Sequence, residues 1–572
     1  MITVTPSSTP VGTPSSTPRS STPRAAATTG EGAHWTAVTT TARTQLFVGG
    51  RIYSATAPDA TAMAVTDGQV VWVGQDRPGR ALHPDAEIVD LDGLFVAPAF
   101  VDTHVHTTAY GLSLTGLDLS DTTGATDLLR RVGEYARNHD DAVVWGHGWD
   151  DTRWPDAAPD TAELDAVAPG RAVYLTRVDA HSAIASTPLR ALAGNLTDLD
   201  GYSPHGPVTA AAHHAVRAAA RAGLSAGQRA AARTAALDDM AAHGIVAVHE
   251  CGGPDIAGLD DFTELLRVDH PVEVRGYWGQ AVSSAEDAAA VLAATGAHGL
   301  GGDLFVDGAF GSHTAALHTP YRDRPDCHGR LYLDAATIRA HLAACTSARI
   351  QAGFHVIGEA ATAAVVDAIA AVAADAGGPA VAACGHRLEH AESVTAEQAR
   401  ILARYGVITS MQPMFDARWG GDDGMYAVRL GADRAAALND FAAIAATGTS
   451  LAFGSDAPVT APRPWPMLRA AVHHRTPGSG ISPRAAFAAA TRGAWRAGGV
   501  RDGAAGTLDP GAPASYALWE TGDLVISAPQ DTVQRWSTDP RSRVSPLPDL
   551  SAGTDDPVLV RSVHRGRVVY AR

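Results

Sequence analysis

The chain of 572 residues carries a formal charge of −17; it is too long for one ordinary core, so one large domain with added elements or two domains are expected. The acidic balance excludes a phosphate-backbone binder, since nucleic-acid affinity rests on Lys and Arg neutralising phosphates, and by net charge alone a cationic or neutral small substrate is easier to accommodate. Hydrophobic residues make up 45% of the chain, no run reaches the ~18 apolar residues of a membrane span, and Cys251, Cys327, Cys345 and Cys384 lack paired spacing, so a reducing cytoplasm is expected rather than a disulfide or Cys-rich zinc framework.

Residues 1–43 are rich in Ser, Thr and Pro and poor in large apolar side chains. Burial cannot offset the entropy of ordering them, so a disordered tail is expected; it lacks the apolar core of a secretory signal. From residue 44 short alternating segments follow, among them Gln45-Leu-Phe-Val and Val70-Val-Trp-Val-Gly, separated by Gly-Gly and Asp-Gly turns. The same texture returns in Ser515-Tyr-Ala-Leu-Trp and around Arg565-Gly-Arg567, which reads as a hairpin turn. Residues 44–93 and 505–572 are therefore expected to build one small β domain together.

Between them, β-rich runs alternate with Ala-rich amphipathic stretches at 226–243, 285–294, 335–346 and 360–374. Residues 94–504 read as α/β, a (β/α)₈ TIM barrel, with strands expected near 99–106, 245–249, 272–277, 304–307, 351–356, 386–390, 407–411 and 451–456. Residues 111–223 form an insertion after the first strand, at the barrel end where such insertions shape substrate pockets.

The sharpest local signal is Phe100-Val-Asp-Thr-His104-Val-His106. Side chains two apart in a strand share a face, so both imidazoles can reach one ion. Further expected strands also end in a ligand type: His355, His390 and Asp456. All converge on the C-terminal face, where the catalytic residues of such barrels sit. Asp456 is the candidate base; Glu250, next to His249, stands near enough for an extra ligand or for a supporting role.

Together with Gly146-His-Gly-Trp-Asp150, Asp179-Ala-His181, Asp307-Gly-Ala-Phe-Gly-Ser-His313, Arg387-Leu-Glu-His390, Gln412-Pro413 and Gly454-Ser-Asp-Ala-Pro458, these motifs resemble the amidohydrolase superfamily. Within it they are similar to the YtcJ-like branch, amidohydrolase family 3, which includes N-substituted formamide deformylases. The resemblance spans about residues 46–570 and implies a composite β-sandwich beside the barrel. It implies hydrolysis of a carbon–nitrogen bond other than a peptide bond, in an amide or N-substituted formamide, by water activated on zinc or a similar divalent ion. His104, His106, His355, His390 and Asp456 would be the ligands. Asp456 would take the water proton and pass it to the leaving nitrogen, and His390 would ligate or hydrogen-bond the oxyanion. Trp149, Asp150, Asp179, His181, His313 and Arg387 fall in family motifs and are candidates for the substrate pocket.

The chain departs from its relatives at one position. Many carry a Lys on the fourth strand that can be carboxylated to bridge two metals; Asp303 stands there instead, so a carbamate bridge is excluded. Asp303 or Asp307 can substitute as an oxygen ligand, although Asp303 lies early in its expected strand and can equally cap a turn. One ion is favoured, with two as the alternative. Deamination or another hydrolysis on the same scaffold stays open, as does a non-catalytic metal-binding regulatory protein. The expected partner is a small amide substrate, with no nucleic acid or membrane, and the common closed homodimer is the prior for assembly.

Overall fold

Apolar runs that are buried on both faces set the centre of the molecule. In the computed structural model, which describes residues 43–526 and 544–572, β1 (Phe100–Val105), β2 (Ile245–Gly252) and β3 (Glu273–Trp278) pair in parallel. So do β4 (Gly353–Val356), β5 (Arg387–His390), β6 (Ile408–Met411) and β7 (Ser450–Phe453), in sequence order. Every residue of β1, β2, β4, β5 and β6 is buried, as parallel strands covered on both sides require. Isolated bridges carry the pairing between the two sheets, from Val105 to Ala457 on one side and through Tyr277–Gly299 and Leu300–Ala352 on the other. The result is a TIM-barrel-like α/β arrangement.

The strand expected at 304–307 does not form. Gly302 takes φ +70, a left-handed backbone that no regular strand contains, so the chain pairs only at single residues there: Gly299, Leu300 and Phe305. Gly301 passes so close to β4 that a Cβ would lie 2.3 Å from the backbone nitrogen of Gly353. The bend after this glycine pair turns Asp303 toward the strand ends.

The Ala-rich stretches are helices, at Ala226–Ala242, Ala285–Thr295, Ala335–Ala348 and Glu359–Ala376. The first is held at its start by a reciprocal Ser225–Gln228 capping box. The last buries Val365, Ile369 and Val372, each contributing roughly 1.5–3 kcal/mol if fully removed from water. The insertion carries its own sheet, with Val143–Trp149 beside Ala172–Arg177, followed by helix α1 (Ala210–Ala222), whose inner face holds Ala212, Val216, Arg217 and Ala220.

At the two ends, Phe95–Pro98 pairs antiparallel with Tyr516–Glu520, and the Val558–His564/Arg567–Ala571 hairpin extends the same sheet. Arg565 and Gly566 turn that hairpin with φ 49 and φ 80, the positive pair that suits the strand twist. Residues 1–42, nearly all of the expected disordered tail, lie outside the described residues. Among the described residues no helix is long and apolar enough to cross a membrane.

Candidate metal centre

Six side chains meet at the C-terminal ends of the parallel strands. His104 is the fifth residue of β1 and His106 follows its end; His355 lies on β4 and His390 closes β5. Asp456 stands three positions beyond β7. In a regular strand His390 would face away from the side of Glu389, because successive side chains alternate. Left-handed backbone at His390 (φ 66) and Ala391 (φ 51) redirects it, and Asp456 (φ 57) is set the same way. Such conformations cost roughly 1–3 kcal/mol each and persist where surrounding structure enforces them.

Asp303 lies at the middle. Its Oδ2 is 3.2 Å from His106 Nε2, and its Oδ1 is 3.4 Å from His104 Nε2, 3.3 Å from His355 Nδ1 and 3.9 Å from His390 Nε2. Asp456 Oδ1 reaches His106 Nε2 at 3.2 Å and His104 Nε2 at 3.6 Å. The donors therefore fall into close groups, His104–His106–Asp303, His104–His390–Asp456 and Asp303–His355–His390. Asp303 belongs to the first and the third.

Hydrogen bonds on the far side of each ring decide which nitrogen is free. His104 Nδ1 donates to Glu389 Oε2 at 3.0 Å, and His390 Nδ1 donates to Gln412 Oε1 at 2.9 Å. His355 Nε2 donates to the Gly308 carbonyl at 3.3 Å. Each ring thus turns its other nitrogen inward. His104 Nε2, His390 Nε2 and Asp456 Oδ1 are buried without a hydrogen-bond partner. Buried polar atoms are normally satisfied, and imidazole nitrogens and a carboxylate oxygen without partners, converging within a few ångströms, fit a divalent cation of the zinc type.

Charge in the site is tightly linked. Burial pulls His106 down, but Asp303 and Asp456 outweigh it and raise the imidazole to about 9. His104 likewise lies well above its usual value against burial, through the carboxylates of Asp456 and Asp303. Burial opposes ionisation of Asp303, yet the two imidazoles hold it well below the carboxylate range. Cys251 also approaches His104 and Glu389, but burial pushes its thiol up to about 12, so it stays protonated and is no thiolate ligand.

The decisive comparison is with a family model, described as that of the amidohydrolase family, which matches residues 87–570. The chain belongs to the amidohydrolase family. This amidohydrolase is 25% identical over 503 residues to Protein LONG AFTER FAR-RED 3 of Arabidopsis thaliana, covering 81% of this chain and 84% of that protein. It is 27% identical over 427 residues to the putative amidohydrolase YtcJ of Bacillus subtilis (strain 168), covering 70% and 77%. A solved structure of an uncharacterized metal-dependent hydrolase from Pyrococcus horikoshii OT3 is similar in fold, with TM-score 0.66 at 23% identity over 84% of this chain and 98% of that one.

The amidohydrolase scaffold places the other sequence-selected residues as follows. Asp179 and His181 line the cavity onto which His106, Asp303, His355, His390 and Asp456 open. Arg177 holds Asp179 at 2.9 Å, and burial keeps the His181 imidazole well below its usual value. Asp307 is not with the donors: its carboxylate accepts backbone N–H groups of Ala316, Ile357 and Gly358 at 2.8, 3.0 and 2.8 Å and pins the turn after His355. Glu250 instead accepts the Thr107 N–H at 2.7 Å, anchoring the chain just after His106.

Four pocket assignments are corrected. Trp149 is in the core of the insertion, its indole N–H donating to the Leu175 carbonyl at 2.9 Å. Asp150 pairs with Arg177 at 2.7 Å and caps Thr152. His313 turns to Asp323 at 3.0 Å. Arg387 is fully buried beneath the centre, paired with both oxygens of Glu389 at 2.8 and 2.9 Å and lying 4.4 Å over the Tyr277 ring. Arg387 and Glu389 are two apart on β5 and so share its inner face; that spacing, in Arg387-Leu-Glu389, was the available signal for Glu389. Arg217, Arg221, Tyr174 and Trp145, which also line the cavity, carried no motif signal.

Proposed function

We propose that the chain hydrolyses a carbon–nitrogen bond other than a peptide bond, in an amide or N-substituted formamide, with divalent ions of the zinc class held by His104, His106, Asp303, His355, His390 and Asp456. The observation that carries this reading is the set of inward-facing imidazole nitrogens and carboxylate oxygen without hydrogen-bond partners around Asp303. A bound ion supplies Lewis acidity and brings the pKa of water toward about 7.

The chain's own groups supply the rest. Asp456 Oδ1 has no hydrogen-bond partner and is placed to accept the proton of the attacking water and return it to the leaving nitrogen. Gln412 fixes His390 through Nδ1, so its inward nitrogen keeps one orientation. Arg387 fixes Glu389, and Glu389 fixes His104. Asp303 is a member of two donor groups and would offer an oxygen ligand to each, so two ions are favoured here over the single ion favoured by the sequence.

Metal analysis of the purified protein together with a panel of N-acyl, N-formyl and cyclic amides tests the reading. Expected are about two zinc-like ions per chain, as shared-carboxylate sites hold, and loss of hydrolysis on chelation and in Asp456→Asn. Full activity in metal-free protein overturns it, and metal-loaded protein inert to the whole panel favours the regulatory alternative.

A further inference from the structure

The wall of the cavity that the donors open onto carries two guanidinium groups that make no ion pair among the described residues. Arg217 and Arg221 are one turn apart on α1 and both line the cavity that also touches His106, His355, His390 and Asp456. Arg217 is buried, gives Nη2 to the Asp255 carbonyl at 2.5 Å, and keeps a buried Nε with no partner. Arg221 has no side-chain hydrogen bond or ion pair among the described residues; burial, with Arg217 beside it, outweighs the opposing pull of Tyr174, Asp261 and Glu250 and lowers it to about 10. Arg177 differs, being surrounded by Asp150, Asp151 and Asp179.

Like charges placed together out of water are unfavourable unless an anion joins them. Burial and the same two arginines keep His214 down at about 3, so that neighbouring imidazole adds no charge. In a chain of net charge −17, two unmatched cations facing one cavity do not follow from a basic composition. A second lobe that shares Asp179, His181, His355, His390 and Asp456 is lined by Phe310, Phe415, Trp419 and Tyr426. His355, His390 and Asp456 thus border both a lobe that carries the two arginines and an aromatic one.

We infer that the substrate is an anionic amide, bearing a carboxylate held by Arg217 and Arg221 on one side of the scissile bond and an apolar group on the other, as in an N-acylated hydrophobic amino acid. The inference rests on the hydrolase reading for the scissile bond, and it replaces the cationic or neutral substrate expected from net charge. Guanidinium pairs suit carboxylate because each presents a planar fork of donors.

The test uses the metal-loaded full chain and two probe pairs that differ only in charge. N-acetylphenylalanine and its carboxamide report turnover; 3-phenylpropionate and 3-phenylpropanamide report binding by calorimetry. The acids are expected to be favoured by about 30-fold, the range of hydrogen bonds to charged groups, with the turnover difference mainly in KM. Arg221→Gln should remove most of the preference, and Arg221→Lys should retain part of it; circular dichroism checks that both fold. Arg221-dependent acid binding with no amide hydrolysed keeps the anion site and rejects the hydrolase reading. Hydrolysis of both amides alike, or acid binding that is absent or equal in wild type and Arg221→Gln, overturns the inference.

Discussion

Metal uptake by this site should be coupled to proton release, and the structure sets the number. In protein stripped of metal, His106 sits at about 9 and His104 well above its usual value, each beside Asp303 and Asp456. Both are therefore protonated at pH 7, whereas Asp303 and Asp456 are lowered and already ionised. A ligand imidazole must be neutral, so binding displaces one proton from each ring. Raised values mean that protons compete up to pH about 9, and affinity rises with pH below that point. Two displaced protons make the apparent affinity climb about 100-fold per pH unit, equivalent to about 2.7 kcal/mol. Calorimetric titration with zinc at pH 7, in buffers of different ionisation enthalpy, counts the protons; chelator competition between pH 6.5 and 7.5 gives the slope. His106→Asn should lower the count by one. An affinity that does not change with pH, or an unchanged count in that variant, would refute the charge assignment.

Two further outcomes follow from residues that touch no substrate. Glu389→Gln removes the charge that both orients His104 and neutralises Arg387; metal affinity should fall about 10- to 100-fold, and chemical denaturation should show a loss of about 3–5 kcal/mol from an uncompensated buried cation. Intact stability with normal metal content would show that this buried pair does not support the centre. Gly301→Ala places a Cβ 2.3 Å from the Gly353 nitrogen, so it should displace Asp303 and His355 together and reduce bound metal by at least half, a shift of about 1 Å being enough to loosen ligand geometry. Unchanged metal content measured by mass spectrometry would mean that the close approach is not what positions Asp303.

The elements that announce themselves in the sequence do so through periodicity. Apolar runs ending in His or Asp located the parallel strands and brought His104, His106, His355, His390 and Asp456 to one end, and the Ala-rich stretches marked helices to within a few residues of their ends. Strand alternation, applied strictly, would have pointed His390 and Glu389 to opposite faces. The positive φ at His390 and Ala391 is a backbone feature that residue type does not disclose. Motif membership likewise did not separate residues facing the cavity from residues beneath or beside it, since Arg387, Trp149 and His313 are drawn inward or aside by Glu389, Leu175 and Asp323.

Asp303, at the position where the family resemblance leads one to expect a Lys, shows how local backbone decides what a side chain can do. An aspartate is too short to reach a central site from an ordinary strand position several ångströms back. Here Gly301 lets the chain press against β4, and Gly302 bends it, with a Cβ there falling 2.9 Å from Cys251 Cβ. The expected fourth strand is lost, and Asp303 gains contact with His104, His106 and His355 within 3.2–3.4 Å. Read as a strand, the Gly-Gly-Asp sequence puts Asp303 too early to ligate; read as a bend, it delivers a carboxylate to the midpoint of the donor groups. The two glycines, rather than the aspartate alone, are what bring this carboxylate among the imidazoles.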